Sequence, residues 1–206
     1  RALFDPAAGC RFTLCRVPIG ASDYALEWYS HNETAGDLAM AHFSLARDEQ
    51  YLMPYIRAAQ QQQPALQFFA SPWSPPTWMK SPAVYNYGTL IETPEIRAAY
   101  ARYLVKFVQG YRGRGIPIAQ LHVQNEPLAD QKFPSCLWTG PQMAEFIRDH
   151  LAPALRAAGE AVEMWLGTLN TDDYNGWLLP ALLTPGAREL IGGVGLQWAG
   201  KGMIQR

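Results

Sequence analysis

Five short, densely apolar runs, at residues 11–18, 66–70, 116–123, 162–169 and 194–198, are separated in this chain by segments that carry helical signals. Runs that are apolar throughout, and not only at every second residue, suit strands buried on both faces. Strand then helix, repeated, leaves few topologies. Parallel neighbours need a crossover long enough for a helix, and those helices must then cover the sheet. The sequence therefore predicts an α/β fold, a parallel sheet with outer helices. One helix starts near Asp48, with Leu52, Ile56 and Ala59 at four- and three-residue steps, and stops at Gln60–Gln63 and Pro64. Thr93 and Pro94 form a cap-plus-first-turn signal for a second, whose apolar face is Ile96, Tyr100, Tyr103, Leu104, Phe107 and Tyr111. Thr139 and Pro141 open a third, faced by Met143, Phe146, Ile147, Leu151 and Leu155, and a short helical piece is expected around 177–183.

In barrels built from such units, chemistry gathers at the carboxyl ends of the strands. There the stretch Leu121-His122-Val123-Gln124-Asn125-Glu126-Pro127 turns from apolar to an Asn–Glu pair followed by proline. Pro127 is expected to hold Glu126 extended and to prevent further ladder pairing. The bland alternative is a surface Glu starting a loop. Pro18-Ile19-Gly20 ends the first run, placing Asp23 in the loop that follows, and Tyr24 to Phe43 reads as a long functional loop. Ser71 to Lys80 is too rich in proline for helix or central strand and is expected to be a rigid loop.

The 206 residues are 49% hydrophobic with a net charge of −1, enough for one sizeable core and no basis for expecting nucleic acid or an anionic membrane. No run approaches the roughly 18 apolar residues of a transmembrane helix, and Arg1 to Gly9 lacks the apolar centre of a signal peptide. Cys10, Cys15 and Cys136 read as free thiols, since a Cys10–Cys15 bridge on or beside one strand is poorly arranged. His31, His42 and His150 show no ligand spacing, so no metal site is expected; His122 reads as an inner-layer residue of the sheet. Seven Trp, several beside Pro and polar residues, suit sugar faces, although most Trp fill core.

Taken in order, Arg16-Val17-Pro18, Ser71-Pro72-Trp73-Ser74-Pro75-Pro76-Thr77-Trp78-Met79-Lys80, Asn125-Glu126-Pro127 and Gln197-Trp198-Ala199-Gly200-Lys201 resemble glycoside hydrolase family 30, the glucosylceramidase-like enzymes. Asn-Glu-Pro alone fits many retaining glycosidase families; the Ser-Pro-Trp loop is far more selective. The resemblance implies a partial (β/α)8 TIM barrel, with 11–18, 66–70, 116–125, 162–169 and 194–198 as barrel strands two to six. Residues 1–206 are then expected to be an incomplete catalytic domain. Strands one, seven and eight, the β-sandwich and the nucleophile would lie outside it, and apolar faces such as Met143, Phe146 and Ile147 would stay partly exposed.

The resemblance also implies an enzyme that hydrolyses β-glycosides with retention, using a Glu acid/base and a second Glu as nucleophile. Glu126 matches the acid/base. Asn125 matches the residue that binds the sugar 2-hydroxyl, or is a turn-forming Asn. Asp23 matches a carboxylate for outer hydroxyls, or caps a loop. Trp73 lines the sugar site, or is a core Trp between prolines. Trp198, at the end of the last run, matches an aromatic near the reactive centre. Arg16 matches a supporting arginine at the barrel mouth, or makes a structural ion pair. Mammalian glucosylceramidases carry His and Tyr around that Trp, where this chain has Gln197 and Ala199, as microbial members do. The implied substrates are β-glucosides such as glucosylceramide, with β-1,6-glucan and β-xylosides as alternatives, and the implied setting is secreted or periplasmic. No cofactor is expected, because two carboxylates suffice. A non-catalytic carbohydrate-binding barrel is the competing reading; it would keep Trp73 and Asp23 but has no need of Asn125–Glu126.

Overall fold

The computed structural model describes residues 1–205. Leu14–Ile19 forms β1, Ala46–Tyr51 and Met53–Gln62 form α1 and α2, and Gln67–Pro72 forms β2. Two short strands follow, Lys80–Ser81 (β3) and Thr89–Leu90 (β4), then Pro94–Arg112 (α3) and Ile118–His122 (β5). Gly140–Phe146 (α4) runs through a π-helical turn into Ala152–Ala157 (α5); Glu163–Leu169 (β6), Leu179–Leu182 (α6) and Ile191–Leu196 (β7) complete the order. The strands β1-β2-β5-β6-β7 make one sheet, parallel at every pairing. This is the expected strand-then-helix progression across a partial barrel. No helix among the described residues is long and apolar enough to cross a membrane.

The core lies between the sheet and its helices. Val17, Ile19, Phe68, Ala70, Leu121 and Leu166 pack in one buried cluster with Tyr100, Leu104 and Phe107 of α3. That helix begins as its sequence signals require, with the Thr93 side chain accepting from the Ile96 N–H and Pro94 in the first turn. Thr139 and Gln142 form a full capping box on α4. Met143, Phe146 and Ile147 are fully buried, against the expectation of partial exposure. The phenyl ring of Phe146 packs between Tyr100 and Trp138, at centroid distances of 5.5 and 5.4 Å. Trp177 closes over the same region, its indole N–H bonding the Trp138 carbonyl at 3.0 Å. These coverings come from α3, from the loop before α4 and from the π-helical turn at Tyr174–Leu178.

The other face of the sheet carries a row of rings: Phe69 lies 4.6 Å from His122, and His122 stacks on Trp165 at 5.2 Å. A Cβ on Gly193 would come within 2.7 Å of the Trp165 ring, and one on Gly195 within 2.5 Å of His122 Nδ1. The glycines of Ile191-Gly192-Gly193 therefore belong inside β7, which begins three residues before the run expected at 194 and ends at Leu196. Close approach of rings, and not a chain break, explains them. Trp198 falls past the strand, at the start of a 3-10 segment Trp198–Gln205. The proline-rich stretch also differs from expectation. Ser71 and Pro72 are still strand, paired with Pro18 and Ile19, and only Thr77–Met79 turns into a 3-10 helix before the β3–β4 hairpin.

The Tyr24–Phe43 loop has no regular structure, as expected, but a buried polar knot pins its middle. Asp48, 1% exposed near the start of α1, accepts the Tyr29 hydroxyl at 2.8 Å on one oxygen and the Tyr111 hydroxyl at 2.6 Å on the other. His31 Nε2 accepts the Gly20 N–H at 3.2 Å and lies 3.6 Å from the second Asp48 oxygen. Burial lowers the His31 pKa, opposed by the Asp48 charge. The loop is thereby tied to the end of β1, to α1 and to α3.

Candidate active site

The segment after β5 stays laced to both neighbouring strands although it leaves regular pairing at His122. Val123 donates its N–H to Trp165 and Gln124 to Gly167 on one side, while Asn125 donates to Pro72 on the other at 2.8 Å. The buried Gln124 side chain adds bonds from Nε2 to the carbonyls of Trp73 and Asn125, both 2.8 Å. Asn125 and Glu126 are thus fixed at the strand end by a scaffold reaching both ways along the sheet.

Glu126 itself is not extended. Its φ is +47°, in the left-handed region. Its N–H is held by the Thr168 carbonyl at 2.8 Å and its own carbonyl by the Ala129 N–H at 2.9 Å, closing a tight turn over Pro127. Proline discourages the right-handed helical region for the residue before it, and here the long-range bond to Thr168 together with the local turn bond from Ala129 holds the left-handed one, at a cost of order 1–3 kcal/mol.

Arg16, Asp23, Trp73, Asn125, Glu126 and Trp198 all line one cavity of about 390 Å³ at the carboxyl ends of the strands. Phe133, Gln197, Pro18, Ser22 and Tyr24 complete its wall. Trp73 is 8% exposed, so it is both core and cavity wall, whereas Trp198 is 79% exposed. A neighbouring cavity of about 490 Å³ shares Pro18, Ser22 and Tyr24 but includes neither Asn125 nor Glu126, so the smaller one is the candidate site.

Arg16 is the hub. Its Nε donates to Ser71 Oγ at 2.8 Å, and its Nη2 donates to Asn125 Oδ1 at 2.7 Å and Thr168 Oγ1 at 2.9 Å. The guanidinium lies 4.2 Å from the centre of a Trp73 ring, a cation–π contact worth about 0.5–2 kcal/mol. Burial lowers its pKa to about 10, opposed by the charges of Asp23 and Glu126. Gln197 donates from Nε2 to Asn125 Oδ1 at 2.8 Å and to Thr168 Oγ1 at 3.0 Å, and Thr168 Oγ1 donates to Asn125 Oδ1 at 3.1 Å. Ser71, Thr168 and Gln197 were not singled out as site residues from sequence. Gln197 and Ser71 each stand in a motif that carries the resemblance, while Thr168 has no local signal of a polar role.

Glu126 is half-buried, and its carboxyl pKa is raised, first by burial and then by the negative charge of Asp23, with Arg16 opposing. A carboxyl so placed can retain a proton to higher pH than an ordinary Glu and give it to a ligand in the cavity. His122 is the reverse case: burial and the Arg16 charge lower its pKa to about 4, leaving a neutral ring packed in the stack. Because the Asp23 charge raises the Glu126 pKa, Asp23→Asn is expected to lower it. In any reaction of the intact protein that uses Glu126 as an acid, the alkaline limb of kcat/KM should move to lower pH; an unmoved or upward-shifted limb would remove Asp23 from this tuning.

A parallel sheet wrapped by helices, with an acid, an amide and indoles gathered at its carboxyl edge, is the arrangement of the (β/α)8-barrel class. The chain belongs to glycosyl hydrolase family 30, whose TIM-barrel domain model matches residues 3–202. It is 32% identical over 203 residues to putative glucosylceramidase 1 of Caenorhabditis elegans, covering 91% of this chain and 38% of that protein. It is 31% identical over 171 residues to an endo-1,6-β-D-glucanase of Neurospora crassa, covering 80% of this chain and 36% of that one. The crystal structure of SrfJ from Salmonella typhimurium superposes with a TM-score of 0.85 at 31% identity, over 92% of this chain and 43% of that structure. The chain thus spans under half the length of these relatives. Of the Gln197–Lys201 motif, the Lys201 side chain lies outside the described residues.

Proposed function

We propose that residues 1–206 form the acid/base-bearing part of a family 30 catalytic barrel that hydrolyses β-glucosides with retention of configuration. The observation that carries this reading is Glu126, half-buried with its carboxyl pKa raised by burial and by Asp23, beside Asn125 in a cavity walled by Trp73, Trp198, Asp23 and Arg16. In the proposed reaction Glu126 protonates the leaving oxygen and later deprotonates water. A second carboxylate, about 5–5.5 Å away, attacks the anomeric carbon. We assign that nucleophile, barrel strands one, seven and eight and the β-sandwich to a part of the protein outside these 206 residues. Asn125 holds the 2-hydroxyl, Asp23 the outer hydroxyls, and the two Trp rings the apolar sugar face. No metal or redox cofactor has a step in this scheme.

Glucosylceramide is the substrate we favour, following the name of the nematode relative. Gln197 and Ala199 flank Trp198 in place of the mammalian His and Tyr, which counts against a ceramide site, and the name of the fungal relative supports β-1,6-glucan as a second reading. The test is to incubate the intact protein with glucosylceramide, β-1,6-glucan, an aryl β-glucoside and an aryl β-xyloside, and to follow the first-formed sugar anomer by proton NMR. A β-glucoside should be cleaved with the β-anomer appearing first. An α-anomer appearing first, or no cleavage of any of the four, would overturn the proposal.

A further inference from the structure

We infer that Gln197 is a positioning residue that sets which way the Asn125 amide faces, and so makes Asn125 a hydrogen-bond donor to the sugar 2-hydroxyl. This rests on the glycosidase reading above and assigns Gln197 a part in it. Asn125 Oδ1 receives three donors: Arg16 Nη2 at 2.7 Å, Gln197 Nε2 at 2.8 Å and Thr168 Oγ1 at 3.1 Å. Asn125 is 3% exposed, so water has little access to replace any of them. Turning the amide over would set its NH2 against the guanidinium and the Gln197 amide hydrogens, donor against donor, in a buried place where such conflicts are costly. Among the described residues Asn125 Nδ2 has no protein partner, yet it is not one of the sealed, unsatisfied polar atoms. It therefore opens to the cavity that Asn125 lines.

Gln197 contributes what Arg16 and Thr168 do not. Arg16 is shared with Ser71 and Thr168, and Thr168 Oγ1 itself accepts from Arg16 and Gln197. Gln197 spends both amide hydrogens on this knot and reaches it from beyond β7, while its backbone N–H is anchored to the Leu169 carbonyl at 2.9 Å. It is an uncharged donor, so it orients the amide without adding a second positive charge beside Glu126. Gln197→Glu would replace those donors with acceptors and favour the opposite face of Asn125.

The experiment compares the intact enzyme with Gln197→Glu and Gln197→Met on an aryl β-glucoside and on its 2-deoxy counterpart. Hydrogen bonds to the 2-hydroxyl strengthen in the transition state, so Gln197→Glu should lower kcat/KM on the hydroxylated substrate by about 10- to 100-fold. The 2-deoxy substrate, which has no group for Asn125 to hold, should lose markedly less, what it does lose being the effect of the added charge on Glu126. Gln197→Met removes the donors without adding charge, and should show the same pattern with a smaller loss. In an Asn125→Ala background Gln197→Glu should have little further effect. Equal losses on both substrates, or no loss on either, would overturn the positioning role. The glycosidase reading fails separately: then the unsubstituted protein would cleave neither substrate, whereas equal rates on both would overturn the 2-hydroxyl contact of Asn125 and with it the positioning role of Gln197.

Discussion

In the intact enzyme, Glu126→Gln should cut the hydrolysis of substrates with poor leaving groups by about 10²- to 10⁴-fold, the usual worth of a placed general acid. The substitution keeps the shape of the side chain and removes the transferable proton. An alkoxide leaving group, as from glucosylceramide or a glucan, then departs unprotonated and glycosylation slows. A dinitrophenolate needs no proton, so its release in the first turnover should be largely spared. Without a base for water, the second step stalls, and a burst of about one phenolate per enzyme should precede slow turnover. Rapid-mixing measurements on the two kinds of substrate read this asymmetry directly. Equal loss of the glycosylation rate on both would deprive Glu126 of the acid/base role.

The parts of this site legible in the sequence were those that a single strand and its exit specify. Density of apolar residues located the five strands, and Asn125–Glu126 stood out because a polar pair ends such a run. What needed coordinates was every feature settled by a second strand. The left-handed backbone of Glu126 depends on the Thr168 carbonyl, 42 residues on, which no property of Glu126-Pro127 encodes. The early start of β7 depends on Trp165 and His122 occupying the space above Gly193 and Gly195, so a pair of glycines that reads locally as a breaker is strand. The place of Arg16 at the barrel mouth is legible in its motif, but its hydrogen bonds to Ser71, Asn125 and Thr168, each from a different strand or its exit, are not. The full burial of Met143, Phe146 and Ile147 has the same origin, since Trp138, Trp177 and Tyr100 that cover this region lie outside the helix carrying the pattern.

The Asp48 knot was equally invisible locally, and it supports the second large prediction. Tyr29 precedes Asp48 by 19 residues and Tyr111 follows it by 63, so no helical period joins the three. Asp48→Ala would leave both hydroxyls without their acceptor, in a place where Asp48 is 1% and Tyr111 0% exposed. Each buried hydroxyl left without its acceptor costs about 1–3 kcal/mol, so with two stranded a destabilisation of about 2–5 kcal/mol is expected in urea unfolding of the intact protein. Asp48→Asn keeps one acceptor oxygen and should cost less, about 1–3 kcal/mol. Tyr111→Phe removes a donor instead of stranding it. Combined with Asp48→Ala it should give less than the sum of the two single effects, because one of the orphaned hydroxyls is gone. The knot also ties the loop that follows β1, through Tyr29 and through the His31 bond to Gly20, three residues before Asp23. Loosening it should therefore raise KM more than it lowers kcat, since Asp23 is displaced while Glu126 keeps its own scaffold of β-strand bonds. A cost below about 1 kcal/mol for Asp48→Ala, or strict additivity with Tyr111→Phe, would show that the cluster does not hold the loop.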